Sequence, residues 1–190
     1  MWEEPESELD GELHEREQLL WYGRPKQGIR LRAIDALLIP FSLLWCGFAI
    51  FWEVTALTMG APFFFALWGI PFVLAGLYFV FGRFLVEAKG REKTYYGVTD
   101  ERIIIVSGLF SRKVKSLNLH TLSDISFTEK SDGSGTITFG ATHPMSSWFA
   151  GGWWPGAGQY AAPSFDMIEN VREAYDRIVD AQRTVREWSD

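Results

Sequence analysis

The sequence predicts two structural classes in one chain: an α-helical membrane hairpin, then a mainly-β (α+β) domain. That domain is expected to be an antiparallel barrel or sandwich capped by a C-terminal helix. Three observations carry this. Residues 36–82 hold a single charged side chain, Glu53. From about residue 93 the chain turns to short runs of aromatic and β-branched residues separated by turn formers. From Ile168 to about Glu187, apolar residues recur at threes and fours. The implied division is a cytoplasmic N-terminal segment over 1–32, a hairpin over 33–88 with spans at about 34–53 and 62–83, and a cytoplasmic domain over 91–190.

The N-terminal segment is acidic, with eight acids against Arg16 alone in the first twenty residues. Glu15 and Glu17 read as part of this polar stretch and form no acid–base pair. The first apolar run, ALLIPFSLLWCGFAIFW (36–52), rises about 26 Å as a helix, near the lower limit for a span. Asp35 and Glu53 then fall at the two interfaces, and Trp52, Trp21 and Tyr22 are candidates for interfacial aromatic belts. Cys46 is the only cysteine and reads as a small packing residue.

The second run, FFFALWGIPFVLAGLYFVFG (63–82), has no polar face. Twelve of its residues are Phe, Leu, Ile or Val, worth roughly 4–7 kcal/mol of insertion free energy before Gly and Pro are discounted. Pro71 is tolerable in a membrane helix, where the freed carbonyl finds local partners. Arg24, Lys26, Arg30 and Arg32 precede the hairpin, and Arg83, Lys89, Arg91 and Lys93 follow it. The connection EVTALTMGAP has no Lys or Arg. The bias of basic residues therefore puts both termini in the cytoplasm of an integral plasma (inner) membrane protein. No charge sits near the middle of either run, so the hairpin reads as an anchor, with an oligomeric transport component as a weaker alternative.

After the hairpin, KTYYGVT (93–99), RIIIVSG (102–108), LFSRKVKSLNL (109–119), LSDISFTEK (122–130) and GTITFG (135–140) read as strands. Asp132-Gly133 marks a turn. Residues 141–163 fit neither period, SFDM reads as a last strand, and the C-terminal helix sets Val171, Tyr175, Ile178 and Val185 on one face to cover an open end of the sheets.

The stretches EREQLLWYGRPKQG, YYGVTDERIIIVSGLFSRKVKSLNLHTLSDI and FDMIENVREAYDRIVDA, with the apolar hairpin between the first two, are similar to the bacterial PH-like membrane-protein family. The resemblance covers about residues 11–188 and rests on the order of parts. It implies a pleckstrin-homology-like domain tethered to a membrane, with no established enzymatic activity. Eukaryotic PH domains that grip phosphoinositides place bases in their first hairpin. Here the turn taken as equivalent, Thr99-Asp100-Glu101-Arg102, carries two acids.

Two features are candidates for binding. Arg112, Lys113 and Lys115 form a basic cluster that either touches anionic lipid or is a solvated strand face. Trp148, Phe149, Trp153 and Trp154 form an aromatic loop that dips into a membrane interface, docks a protein partner, or folds back to close the domain's own core. A net charge of −6 disfavours nucleic acid. The histidines His14, His120 and His143 lack metal-ligand spacing, and DGSGT is a hairpin turn rather than a nucleophile elbow. No catalytic, cofactor or metal site is expected. The expected role is a membrane-anchored binding module that recruits or scaffolds a protein, with lipid-surface sensing as the alternative and homo-oligomers left open.

Overall fold

The computed structural model describes residues 5–31, 34–140 and 162–187. The first elements are a short helix α1 (Pro5–Asp10) and strand β1 (Leu19–Gly23). Helix α2 (Asp35–Thr58) follows, then α3 (Phe63–Leu77), which passes through a π-helical turn at Tyr78–Gly82 into α4 (Arg83–Glu92). Next come β2 (Tyr95–Thr99), β3 (Arg102–Ser107), β4 (Lys113–Asn118), β5 (Ile125–Glu129), β6 (Gly135–Phe139), β7 (Ser164–Ile168) and α5 (Val171–Glu187).

The strands form two antiparallel sheets, β1-β2-β3-β4 and β5-β6-β7. They face each other as an open sandwich rather than a closed barrel. Tyr96, Val98, Ile103, Ile105, Ile137, Phe139 and Phe165 fill the space between them, and α5 adds Val171, Ala174, Ile178 and Ala181. Phe165 stacks on Tyr96 at 4.6 Å and on Trp21 at 5.6 Å between ring centroids.

The N-terminal segment corrects the sequence reading. Leu19–Gly23 pairs with β2, so Trp21 belongs to the sandwich core and Tyr22 to an edge strand, rather than to a membrane belt. The hairpin is thus a long insertion between two paired strands. The turn at Thr99–Arg102 joins β2 to β3, and the sheet's first hairpin is the helical one. The reason β3 reads RIIIVS now follows: Ile103 and Ile105 face the sandwich, while Ile104 and Val106 face outward and need a cover. Leu9 of α1 supplies it, fully buried. Gly97 makes the socket, since a Cβ there would sit 3.1 Å from a Leu9 methyl.

The helical pair extends past the expected ends. Helix α2 continues to Thr58, which places Glu53 within it and not at its terminus. The α2–α3 seam is built from small groups. Ser42, Cys46 and Ala49 are the buried residues on the inner stretch of α2, facing Gly69 and Gly76 of α3. A Cβ on Gly76 would lie 2.9 Å from the Cys46 Cα, so the backbones approach too closely for any side chain there. At the end nearest the sandwich, Arg83 pairs with Asp35 at 2.8 Å, both buried. Arg91 Nη2 donates to the Gly28 carbonyl (2.9 Å), which ties α4 to the segment entering α2.

Candidate binding surfaces

Strand pairing gives the sandwich two distinct ends. Gly23 meets Tyr96, Tyr95 meets Val106, and Ser107 meets Lys113, so the β3–β4 loop emerges at the same end as the helical hairpin. The second sheet joins that end through Lys26. Its backbone N–H donates to Met167 O (2.7 Å), and its Nζ donates to Asp132 (2.8 Å) in the β5–β6 turn. The β2–β3 turn lies at the opposite, far end. So do Gly140 and Pro163, which flank the long connection from β6 to β7, since Phe139 pairs with Ile125 and Ser164 with Thr138. Trp148, Phe149, Trp153 and Trp154 lie within that connection, outside the described residues.

The basic cluster is split by strand alternation. Lys113 and Lys115 pair with Ser107 and Ile105 and lie on the sandwich side of an edge strand. Arg112 reaches the opposite face. There its guanidinium meets Glu8 (3.1 Å) and Glu12 (3.0 Å), and donates to the Glu8 carbonyl (2.9 Å). The acidic N-terminal strap therefore neutralises the strongest phosphate ligand of the three. Beside it, a cleft of about 650 Å³ is lined by Arg24, Lys93 and Arg112, with Glu8 and Glu92 between them. Arg24 stacks over Tyr95 (5.1 Å), and its Nε is buried without a hydrogen-bond partner. Phe110, at the loop tip, is 92% exposed.

The best-built polar group was not visible in the sequence. The Glu17 side chain is fully buried and takes both arms of Arg102: Nε to Oε1 at 2.8 Å and Nη2 to Oε2 at 2.9 Å. Thr99 Oγ1 donates to Oε1 (2.7 Å), and the His14 backbone N–H donates to Oε2 (2.8 Å). Burial by itself raises the Glu17 pKa. The bonds from Arg102, His14 and Thr99, together with the Arg102 charge, outweigh it and hold the carboxyl at about 2. The same interaction raises Arg102.

His14 and Glu101 bring their ligand atoms within 4.8 Å of Glu17 and each other. A metal ion is a poor fit there. All four lone-pair positions of Glu17 already accept bonds, and the guanidinium supplies the positive charge a cation would bring. The group is a staple that fastens the strap to the β2–β3 turn. Only E-R-E-Q before an edge strand and T-D-E-R in a turn hint at it, and neither names its partner.

These features define a class: a two-sheet, PH-like domain with a C-terminal helix, carrying a pair of helices long and apolar enough to cross a membrane. The model of one family, the bacterial PH domain, matches residues 36–178, and the chain belongs to that family. The match takes in both apolar helices and all strands but β1, so the family unit includes the hairpin. No curated protein and no solved structure matches the chain.

Proposed function

We propose that this chain is a membrane-anchored, non-enzymatic binding module that recruits or scaffolds a protein partner at the bacterial membrane, with both termini cytoplasmic. The observation that carries it is the insertion of the apolar hairpin between β1 and β2. An anchor spliced into a sheet at two points holds the domain close to the bilayer, where a terminal anchor on a linker would let it wander. Only 17% and 12% of the apolar windows of the two helices are buried in the chain itself, which leaves the rest for lipid. Basic residues flank the hairpin on the sandwich side alone, in agreement with a cytoplasmic sandwich.

The test is mild solubilisation of the full-length protein from its own cells, beside a Trp153→Ala/Trp154→Ala variant. A stoichiometric protein that co-purifies supports recruitment, and its loss in the variant assigns the contact to that segment. Lipid alone, or further copies of the chain, counts against it. Lipid-surface sensing has one observation in its favour, exposed Phe110 at the hairpin end beside Lys113. Binding of that kind weakens as salt rises, whereas an apolar protein contact does not.

A further inference from the structure

Sheet edges are open hydrogen-bonding templates, and folded proteins usually guard them with charge, proline or cover. Among the described residues four strands have an edge. Strand β4 carries Lys113 and Lys115, β5 ends in Glu129, and β7 contains Asp166 and is bridged by Lys26. Strand β1 reads LLWYG, with neither charge nor proline. A bulge leaves Leu20 opposite no residue of β2. Leu20 and Tyr22 are 42% and 45% exposed.

Beyond this free edge lies a groove walled by α5. It consists of two clefts of about 740 and 780 Å³, and Leu20 lines both. Its ends differ in charge. At the far end Asp100, Glu101 and Asp180 face the groove against Arg177 and His120. At the hairpin end Arg24, Lys26 and Arg30 stand against Glu169 and Glu173. An occupant complementary to this surface is extended, apolar at alternate positions and basic where it reaches the far end.

We infer that an extended segment of another protein docks here as an added strand on β1, against α5, with a Lys or Arg facing Asp100, Glu101 and Asp180. The inference deepens the recruitment reading and rests on it. Backbone pairing to β1 gives affinity irrespective of sequence, while Leu20, Tyr22 and the charged walls select the side chains.

The experiment places the photo-crosslinker p-benzoylphenylalanine at Tyr22, at Thr184 on the opposing wall, and at Lys115 on the β4 edge. The full-length protein is irradiated in the membranes of its own cells, and the adducts are sequenced by mass spectrometry. The expected result is that the Tyr22 and Thr184 positions label one segment of one other protein. That segment has alternating apolar residues, with its basic end at Thr184. Adding Leu20→Lys should lower the Thr184 adduct yield about tenfold, since an inward charge blocks strand addition, with an unchanged melting temperature. Adducts only to lipid, to another copy of this chain, or to a segment lacking that pattern overturn the inference, as does indifference to Leu20→Lys. If Lys115 captures a protein and the groove does not, the groove assignment fails and recruitment stands. If no position captures a protein and native purification is also empty, both fail.

Discussion

The hairpin and the sandwich use the same apolar side chains in opposite ways. In the sandwich, Val98, Ile103, Ile137, Phe165 and Ile178 are fully buried. In the hairpin, Leu44, Phe51, Phe63 and Leu74 are 60–80% exposed, and the seam is left to Ser42, Cys46, Gly69 and Gly76. Hiding small residues and displaying large ones suits the membrane anchor proposed above, whose solvent would be as apolar as its own surface. There the gain from pairing two helices comes from close packing and not from removing area from water. The two regions therefore fail for different reasons, and substitutions can tell them apart.

The largest effect is expected in the sandwich. Glu17→Ala strands Arg102 in a mostly buried site, a change that typically costs about 3–5 kcal/mol. Thermal unfolding of the detergent-solubilised protein should show it, with the strap released to proteolysis near Leu9. The same pair sets an acid limit. Glu17 is held at about 2 against an ordinary value of 4.5, so the unfolded chain takes up the proton first as pH falls. The contribution is complete above about pH 4.5 and is lost progressively toward pH 2. It amounts to roughly 3 kcal/mol, and the Glu17→Gln protein should lack that slope.

Next in size is the direct test of the comparison. Leu44 is 75% exposed, and at such a site on a water-facing helix Leu→Lys changes stability by less than about 0.5 kcal/mol. If the face meets lipid, Leu44→Lys costs about 2.5–3.5 kcal/mol of insertion free energy. A glycosylation-based insertion assay reads the difference as a fall in the spanning fraction. An unchanged fraction would remove the membrane from the account of this helix.

The seam makes a finer distinction. At Gly76 a new Cβ meets the Cys46 backbone, which cannot yield without separating the helices. At Gly69 it meets only the Glu53 carboxylate, the far end of a flexible side chain. Gly76→Ala should cost about 1–3 kcal/mol, as overpacking does, and Gly69→Ala less than about 0.5. Disulfide trapping between cysteines placed across α2 and α3 would report both. Equal effects would mean that side-chain crowding, not backbone approach, sets the seam.

How much of this was legible depended on whether each signal is local. The apolar block with its single charge, the turn at Asp132-Gly133 and the apolar stripe of α5 are local, and each element is present, although α2 runs on to Thr58 and α5 starts at Val171 because Ile168 ends β7. Strand β1 was missed because LLWYG precedes a hairpin of some seventy residues, and its partner Tyr95–Thr99 lies beyond that hairpin. The acidic strap looked solvated because, among its described acids, Glu8, Asp10, Glu12 and Glu15 are exposed or half-buried. Nothing in the sequence singles out Glu17 until Arg102 and Thr99 arrive from the other side of the insertion. One clue was available. RIIIV has apolar residues on both faces of a strand, which requires a second cover, and Leu9 of the N-terminal segment supplies it. The candidate cluster at 112–115 was legible as charge but not as a unit, because a strand sends neighbouring residues to opposite faces.

The smallest effect separates structure from function at that cluster. Arg112 is half exposed and paired with Glu8 and Glu12, and surface ion pairs of this kind contribute about 0–1 kcal/mol. Arg112→Ala should therefore leave the melting temperature nearly unchanged. If the strap acids only fasten the strap, Glu8→Gln/Glu12→Gln should be equally silent in every assay. If they also neutralise a lipid-facing cation, the double variant gains affinity for vesicles containing phosphatidylglycerol, and the gain disappears when Arg112→Ala is added. At physiological salt the gain is limited to roughly fivefold, because one charge near an anionic surface is worth about 1 kcal/mol. A vesicle-binding measurement on the strap variants in nanodiscs free of anionic lipid resolves a change of that size. A silent result would leave Arg112 as a clasp for the segment that covers Ile104 and Val106, with no part in lipid binding.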